Sequence, residues 1–379
     1  MSARTSNGLG IATRVFGSQW FVSVLAVLIA FAIGAILIAL SGASVVDAYY
    51  AMFRGSIVDP NAANAVRMIK PLTDSLFYSI PLIISGLGLA LGFRAGLFNI
   101  GGKGQIIVGA LAAVWVGFAV SLPPVVHTLV ALLVAVIAGG LYGGIAGVLK
   151  AKTGANEVIV TIMLNAIATL GLGYTLAQKA WQVPGTNQPV TPKVADSAAF
   201  ARLLPAPFKL HVGFLVALVA LVAFWWLIER STLGFQIRAV GANAAAARTA
   251  GISVERITAI TMVLSGAFLG LAGANEALGT IGYVSRDVAG SIGFDAITVA
   301  LLGRNKTWGT FGAGLLFGAF KAGGYAMQAK GVPIDMILIL QSVIVLLIAA
   351  PALVRWLFRL PDVCAFAANT RKGNADEHK

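Results

Sequence analysis

Cysteine occurs once in the 379 residues, at Cys364, and histidine three times, at His127, His211 and His378. A single cysteine excludes an intrachain disulfide and any cysteine-based metal site. The histidines lie apart, near the ends of apolar stretches or in the tail, and read as structural or solvent-facing. No H-E-x-x-H spacing and no paired nucleophile and base occurs, so no catalytic residue, metal ion or cofactor is expected. Charge is scarce as well: 11% of the residues are charged, against about 25% in an average soluble domain. Acidic residues number only 14 beside 27 basic ones, for a net charge of +13. That excess does not indicate nucleic acid, because the basic residues stand singly in short loops between apolar runs instead of covering one solvated face.

What fills the chain is apolar: 58% of residues are hydrophobic and the mean hydropathy is +0.89. The runs are continuous, not alternating, so each is read as a helix crossing a hydrocarbon core of about 30 Å and not as a barrel strand. The expectation is an all-α polytopic membrane protein of about ten transmembrane helices. They are placed at 20–41, 71–93, 96–120, 125–149, 154–177, 211–229, 257–280, 290–303, 309–326 and 334–354. Lysine and arginine favour the side that carries both termini, which makes 1–19 and the tail 355–379 cytoplasmic, the long loop 178–210 periplasmic and the loop 230–256 cytoplasmic. Residues 1–19 precede the first apolar run without a clear small-residue cleavage site, so a retained first helix is expected. Segments 2–5 and 7–10 begin from opposite sides, as an inverted repeat requires.

Glycine is abundant, with 44 residues. Much of it is spaced by four, at Gly139, Gly143 and Gly147, at Gly266 and Gly270, and at Gly314 and Gly318. Small residues at this spacing let helix backbones approach where lipid gives no hydrophobic drive. The cluster GLFNIGGKGQ at 96–105 is different in kind. It is no phosphate loop, since position 97 is Leu where glycine is needed and position 104 is Gly where Ser or Thr would hold magnesium. It reads as a broken helix, tolerated only where protein or a water-filled cavity satisfies the freed backbone. Asn99 and Gln105 beside it are candidate pathway groups. Lys103 stays open between snorkelling to the surface and a place in the pathway.

Polar residues inside apolar segments are costly and mark solute pathways. Thr161 and Asn165 share a helix face with Glu157, while Asn275, Glu276, Asp295 and Thr298 lie in later segments. The stretch RSTLGFQIRAVGANAAAARTAGISVER, 230–256, is amphipathic and alanine-rich, with a short helix expected over about 243–250 and closed by Gly251. It suits either a lipid surface or the docking of a cytoplasmic partner.

The runs GLFNIGGKGQIIVGA, ANEVIVTIMLN, STLGFQIRAVGANAAAARTAGIS and GFDAITVALLGRNKTWGTFGAGLLFGA stand in one order over roughly 70–355. In that order they resemble the permease subunits of ATP-binding-cassette importers for nucleosides and simple sugars, in the wider group of ribose and branched-chain amino acid permeases. The resemblance implies a non-enzymatic subunit working by alternating access in a bacterial inner membrane. It implies three partners: a second permease, most simply a paralogue in a heterodimer; an ATPase chain with two nucleotide-binding domains; and a substrate-binding protein of the basic membrane protein type. It further implies that 230–256 is the ATPase-coupling loop, carried over onto Gly234, Arg238, Gly241, Asn243, Ala247, Arg248, Gly251 and Ile252. The rival reading is an ion-coupled secondary transporter of similar solutes, with Glu157, Glu276 or Asp295 as proton sites.

Overall fold

The structure is a computed structural model that describes residues 19–333 and, beyond them, positions 336, 338, 339, 342, 343, 346 and 347. Most of the tenth expected segment, the tail, Cys364 and His378 lie outside the described residues. The described residues fold into helices: α1 (Gln19–Leu40), α2 (Val45–Ser56), α3 (Ala65–Arg94), α4 (Gly102–Ala119), α5 (Pro124–Thr153) and α6 (Glu157–Ala177) come first. After a short 3-10 turn follow α7 (Gly213–Trp225), α8 (Thr232–Ala242), α9 (Ala244–Thr249), α10 (Val254–Asn275), α11 (Ile292–Leu302) and α12 (Thr307–Gln328). Both α7 and α10 end in a wider π turn, Trp226–Arg230 and Glu276–Thr280.

Each of the first nine expected segments falls on one of these helices, and the all-α membrane architecture stands. Six helices are long and apolar enough to cross a membrane: α3, α4, α5, α6, α7 with its π turn, and α10 with its π turn. The segment expected at 290–303 is the short helix Ile292–Leu302. Its helix α11 has 11 residues, about 16 Å at 1.5 Å per residue, and so covers about half of a 30 Å core. Helix α2, inside the polar loop at 41–70, was not anticipated from hydropathy because its sequence VVDAYYAMFRGS is amphipathic, not uniformly apolar.

The chain divides into two compact units, one of 1–52 with 324–379 and one of 53–323. In the first, α1 turns at Gly42, whose φ of 81° suits glycine alone, and Ile38, Ala48, Met327 and Val332 form a small buried cluster. The second unit is a helical bundle with α10 at its centre, packed against α3, α4 and α5. The close approach is made by the spaced glycines. A Cβ at Gly139 would stand 2.5 Å from the Gly266 carbonyl oxygen, and one at Gly266 would stand 2.3 Å from the Gly139 carbonyl oxygen. On the other side of α10, a Cβ at Gly273 would stand 2.2 Å from the Ile106 carbonyl oxygen of α4. Gly314 and Gly318 of α12 seat in the same way on Ile83 and on Ser75 and Ser79 of α3. The four-residue spacing thus reports backbone contact, as expected for a bundle whose helices gain from packing and not from leaving water.

Candidate functional site

Two neighbouring regions of the second unit carry the expected site residues. The first is the break between α3 and α4. Helix α3 stops at Arg94, Gly96 takes a φ of 73°, and helical geometry resumes only at Gly102. The backbone groups freed in between are bonded by side chains. Phe98 N–H donates to Glu157 Oε1 at 3.4 Å and Ile100 N–H to Thr161 Oγ1 at 3.3 Å. Asn165 bonds twice, accepting from Gly104 N–H and donating to the Ile100 carbonyl, both at 2.8 Å. Asn99 Oδ1 accepts from Gly101 N–H at 2.9 Å, while its Nδ2 donates to Ser265 Oγ at 2.9 Å and to Gln105 Oε1 at 3.1 Å. Glu157 is held in turn by Lys150 at 2.6 Å.

The face of α6 that carries Glu157, Thr161 and Asn165 is therefore the wall that supplies a broken helix with its partners. Asn165→Leu is expected to leave Gly104 N–H and the Ile100 carbonyl without partners, at about 1–3 kcal/mol for each buried group. The effect is read as a fall of several degrees in the melting temperature of the detergent-purified chain, and a variant melting with the wild type would remove this role. Ser265, a partner of Asn99 in α10, was not singled out from sequence, because a serine among glycines and alanines gives no signal until its neighbour is known.

The start of α4 meets the start of α11. A Cβ at Gly102 would stand 3.1 Å from the Gly293 carbonyl oxygen, and one at Gly293 would stand 2.5 Å from Lys103 N. The helices α4 and α11 thus begin side by side, each after an irregular segment. Asp295, in the first turn of α11, accepts from Ser291 Oγ at 2.6 Å. Thr298 lies one turn further, partly exposed. Lys103 is partly buried in the first turn of α4, and its ammonium has no hydrogen bond or ion pair among the described residues.

In α10, Asn275 is fully buried and Glu276 nearly so, and Glu276 Oε1 accepts from Thr280 Oγ1 at 3.1 Å across the π turn.

The second region is the stretch 230–256. Three caps build it: Ser231 Oγ accepts from Gly234 N–H at 2.9 Å, Asn243 Oδ1 from Ala246 N–H at 3.0 Å, and Ser253 Oγ from Arg256 N–H at 3.4 Å. The short helix expected over about 243–250 is α9, and Gly251 closes it with a φ of 82° while Ile252 N–H bonds the Ala247 carbonyl at 3.0 Å. Gly234 and Gly241 allow tight turns onto the bundle. A Cβ at Gly234 would stand 2.0 Å from the Leu227 carbonyl oxygen, and one at Gly241 would stand 2.1 Å from that of Arg94. Arg238 keeps a buried guanidinium nitrogen without a partner, and Arg248 pairs with Glu255 at 2.6 Å in an exposed position. Between α8 and α9 lies an apolar groove of about 560 Å³, lined by Phe235, Ala239, Ala246, Ala247 and Ile252 among others. Because Gly96 also sits against Gly241, this region touches the start of the helix break.

Such a bundle, with the starts of two helices meeting inside it and a capped, grooved helix pair beside the helix break, has the form of a transport subunit. Comparison with known proteins identifies which. Residues 72–349 match the family model described as "Branched-chain amino acid transport system / permease component". The chain is 40% identical over 349 residues to the guanosine ABC transporter permease protein NupP of Bacillus subtilis, covering 89% of this chain and 95% of that one. It is 35% identical over 333 residues to the glucose ABC transporter permease protein TsgB13 of Haloferax volcanii, covering 85% of each. It is 31% identical over 364 residues to the nucleoside ABC transporter permease protein NupB of Lactococcus lactis, covering 93% and 97%. No solved structure matches the chain. The chain belongs to this permease family and is a multi-pass, non-enzymatic membrane subunit of an ATP-binding-cassette transporter.

Proposed function

We propose that this permease imports nucleosides or related simple sugars into the cytoplasm by alternating access, driven by ATP hydrolysis on a partner chain. One observation carries the reading of mechanism. The short or interrupted segments α4 and α11 occupy the second place in segments 2–5 and in segments 7–10, and their starts meet at Gly102 and Gly293. Discontinuous helices in corresponding places of two halves are where transporters handle their solute. The pathway runs beside this junction, with Asp295, Thr298, Asn275 and Glu276 along it. Asn99, Gln105, Thr161 and Asn165 frame it by holding the break in place. Contacts of this kind are weak and polar, which suits an importer that must release what it accepts.

The stretch 230–256 is the ATPase-coupling loop, with the groove as the seat for the partner and with Arg238 and Arg248 at its edges. Its contact with Arg94 and Gly96 places a movement of α8 directly on the helix break, a rigid-body displacement passed to an irregular segment. This orientation puts both termini and the coupling loop on the cytoplasmic side of a bacterial inner membrane, and the loop 178–210 on the outside. A binding protein of the basic membrane protein type delivers the solute there. The second permease is a paralogue: NupQ of Bacillus subtilis and NupC of Lactococcus lactis also resemble this chain, at 29% and 27% identity, beside NupP and NupB of the same organisms.

The test is uptake of guanosine and of glucose by proteoliposomes holding this chain with its partner subunits and binding protein. Uptake is expected to require ATP inside the cytoplasmic compartment and to survive a protonophore. Uptake that runs on a proton gradient without ATP would overturn the reading.

A further inference from the structure

His211 and Asn275 are buried polar residues that each keep a side-chain atom without a hydrogen-bond partner among the described residues. His211 is 2% exposed and Asn275 0% exposed. The imidazole Nδ1 accepts from Gly213 N–H at 3.0 Å, so in the neutral ring the proton sits on Nε2, and Nε2 has no partner among the described residues. Asn275 Oδ1 has none there either, while the Asn275 amide reaches toward the neighbouring Glu276 carboxylate. The two groups are neighbours: a Cβ placed on Gly213 would stand 2.2 Å from Asn275 Oδ1 and 2.6 Å from His211 Nδ1. Together they present a donor at Nε2 and an acceptor at Oδ1.

The pair lies where regular helix in α10 ends. Asn275 is the last residue of regular helix in α10, directly before the π turn Glu276–Thr280, and Gly279 in that turn lies against the His211 ring. Turns of this type inside helices recur at functional positions. Phe77 of α3 meets the imidazole edge-on at 5.4 Å and Phe200 meets it tilted at 5.5 Å. Phe200 belongs to the loop before α7, and that loop lies along the end of α10 through backbone bonds. Phe200 N–H donates to the Leu278 carbonyl, Val194 N–H to that of Gly282 and Thr191 N–H to that of Val284, each at 3.0 Å. Histidine 127, by contrast, is buried with both ring nitrogens bonded, to Ser197 Oγ and the Val116 carbonyl. The unsatisfied pair is therefore a local feature of the α10 end.

We propose that His211 and Asn275 form a solute-contacting site that takes the hydroxyl or amide groups of a neutral solute when the end of α10 opens. The proposal rests on the importer reading above and adds His211, together with the chemical class of the groups bound. A neutral donor at Nε2 and a neutral acceptor at Oδ1 suit sugar hydroxyls or the amide edge of a nucleobase. The state seen here leaves these two atoms without partners among the described residues, which favours exchange with a solute over permanent closure.

The experiment uses the assembled transporter in proteoliposomes, with Asn275→Cys introduced into a Cys364→Ser background, and a small methanethiosulfonate reagent. During ATP turnover the thiol is expected to react, and guanosine or glucose, whichever the wild-type complex imports, is expected to slow the reaction several-fold. Equal rates with and without an imported solute, or no reaction in any nucleotide state, would overturn the site. ATP-driven uptake by the wild type is measured in parallel; its absence for both solutes would sink the importer reading itself, whereas import without protection would sink only this site. Asn275→Leu gives a second arm. The site predicts a several-fold lower maximal uptake with an unchanged or raised melting temperature, while a fall in melting temperature with unchanged uptake per folded complex would assign Asn275 a structural role only.

Discussion

Gly270→Ala is expected to lower the melting temperature of the purified permease by several degrees, although it adds one methyl group and improves helix propensity by about 1 kcal/mol. The new Cβ would stand 2.3 Å from the Ala135 carbonyl oxygen and 3.0 Å from Gly139 Cα. On its other side, Gly109 of α4 already approaches so closely that a Cβ there would lie 2.4 Å from Gly270 Cα. These neighbours are backbone atoms of α4 and α5, so no rotamer change relieves the clash and the helices must part. Overpacking of this sort costs about 1–3 kcal/mol or more, which exceeds the propensity gain. Gly171→Ala in α6 is the matched control, because a Cβ there meets nothing within 4 Å. It keeps the propensity gain and is expected to leave the melting temperature unchanged or raise it. Thermal melts of both variants in detergent check the opposite signs, and a shift in the same direction for both would refute the backbone-contact account.

Phe235→Asp is expected to abolish ATP-driven uptake while leaving the fold of the permease intact. Phe235 lies in the groove between α8 and α9 and is 61% exposed, so its removal costs the isolated chain little packing. In the assembled transporter the same groove would hold an uncompensated carboxylate. Burying an unpaired charge costs about 3–5 kcal/mol, a loss of about a hundredfold or more in affinity at 1.4 kcal/mol per factor of ten. Co-purification of the ATPase chain with the variant measures that loss directly, beside its uptake in proteoliposomes. Wild-type levels of both would remove the groove from the coupling contact. The Arg248–Glu255 pair offers a weaker lever, since an exposed pair contributes under about 1 kcal/mol.

The membrane class, the places of the helices and the capped loop were legible in the sequence because each depends on local composition. Apolar runs of bilayer length placed the first nine segments, and α9 formed where asparagine and glycine bound an alanine run. Helix α2 was not legible, since an amphipathic turn of helix in a polar loop has no hydropathy signal of its own. Helix α11 was legible for the same reason as the others: its apolar run Ile292–Leu302 is bounded by Gly290 and Ser291 before it and Gly303 after it.

The candidate site divides along the same line. The sequence by itself determined that 96–105 is a break, that Glu157, Thr161 and Asn165 share one face, and that 230–256 is a separate capped element, because glycine content and residue spacing are properties of the chain. Only the tertiary structure decided which face answers the break, that Gly102 meets Gly293, and that His211 and Asn275 stand together. Those residues are distant in sequence, and a hydrogen bond or a backbone contact between them exists only once helix packing has brought their atoms within about 3 Å.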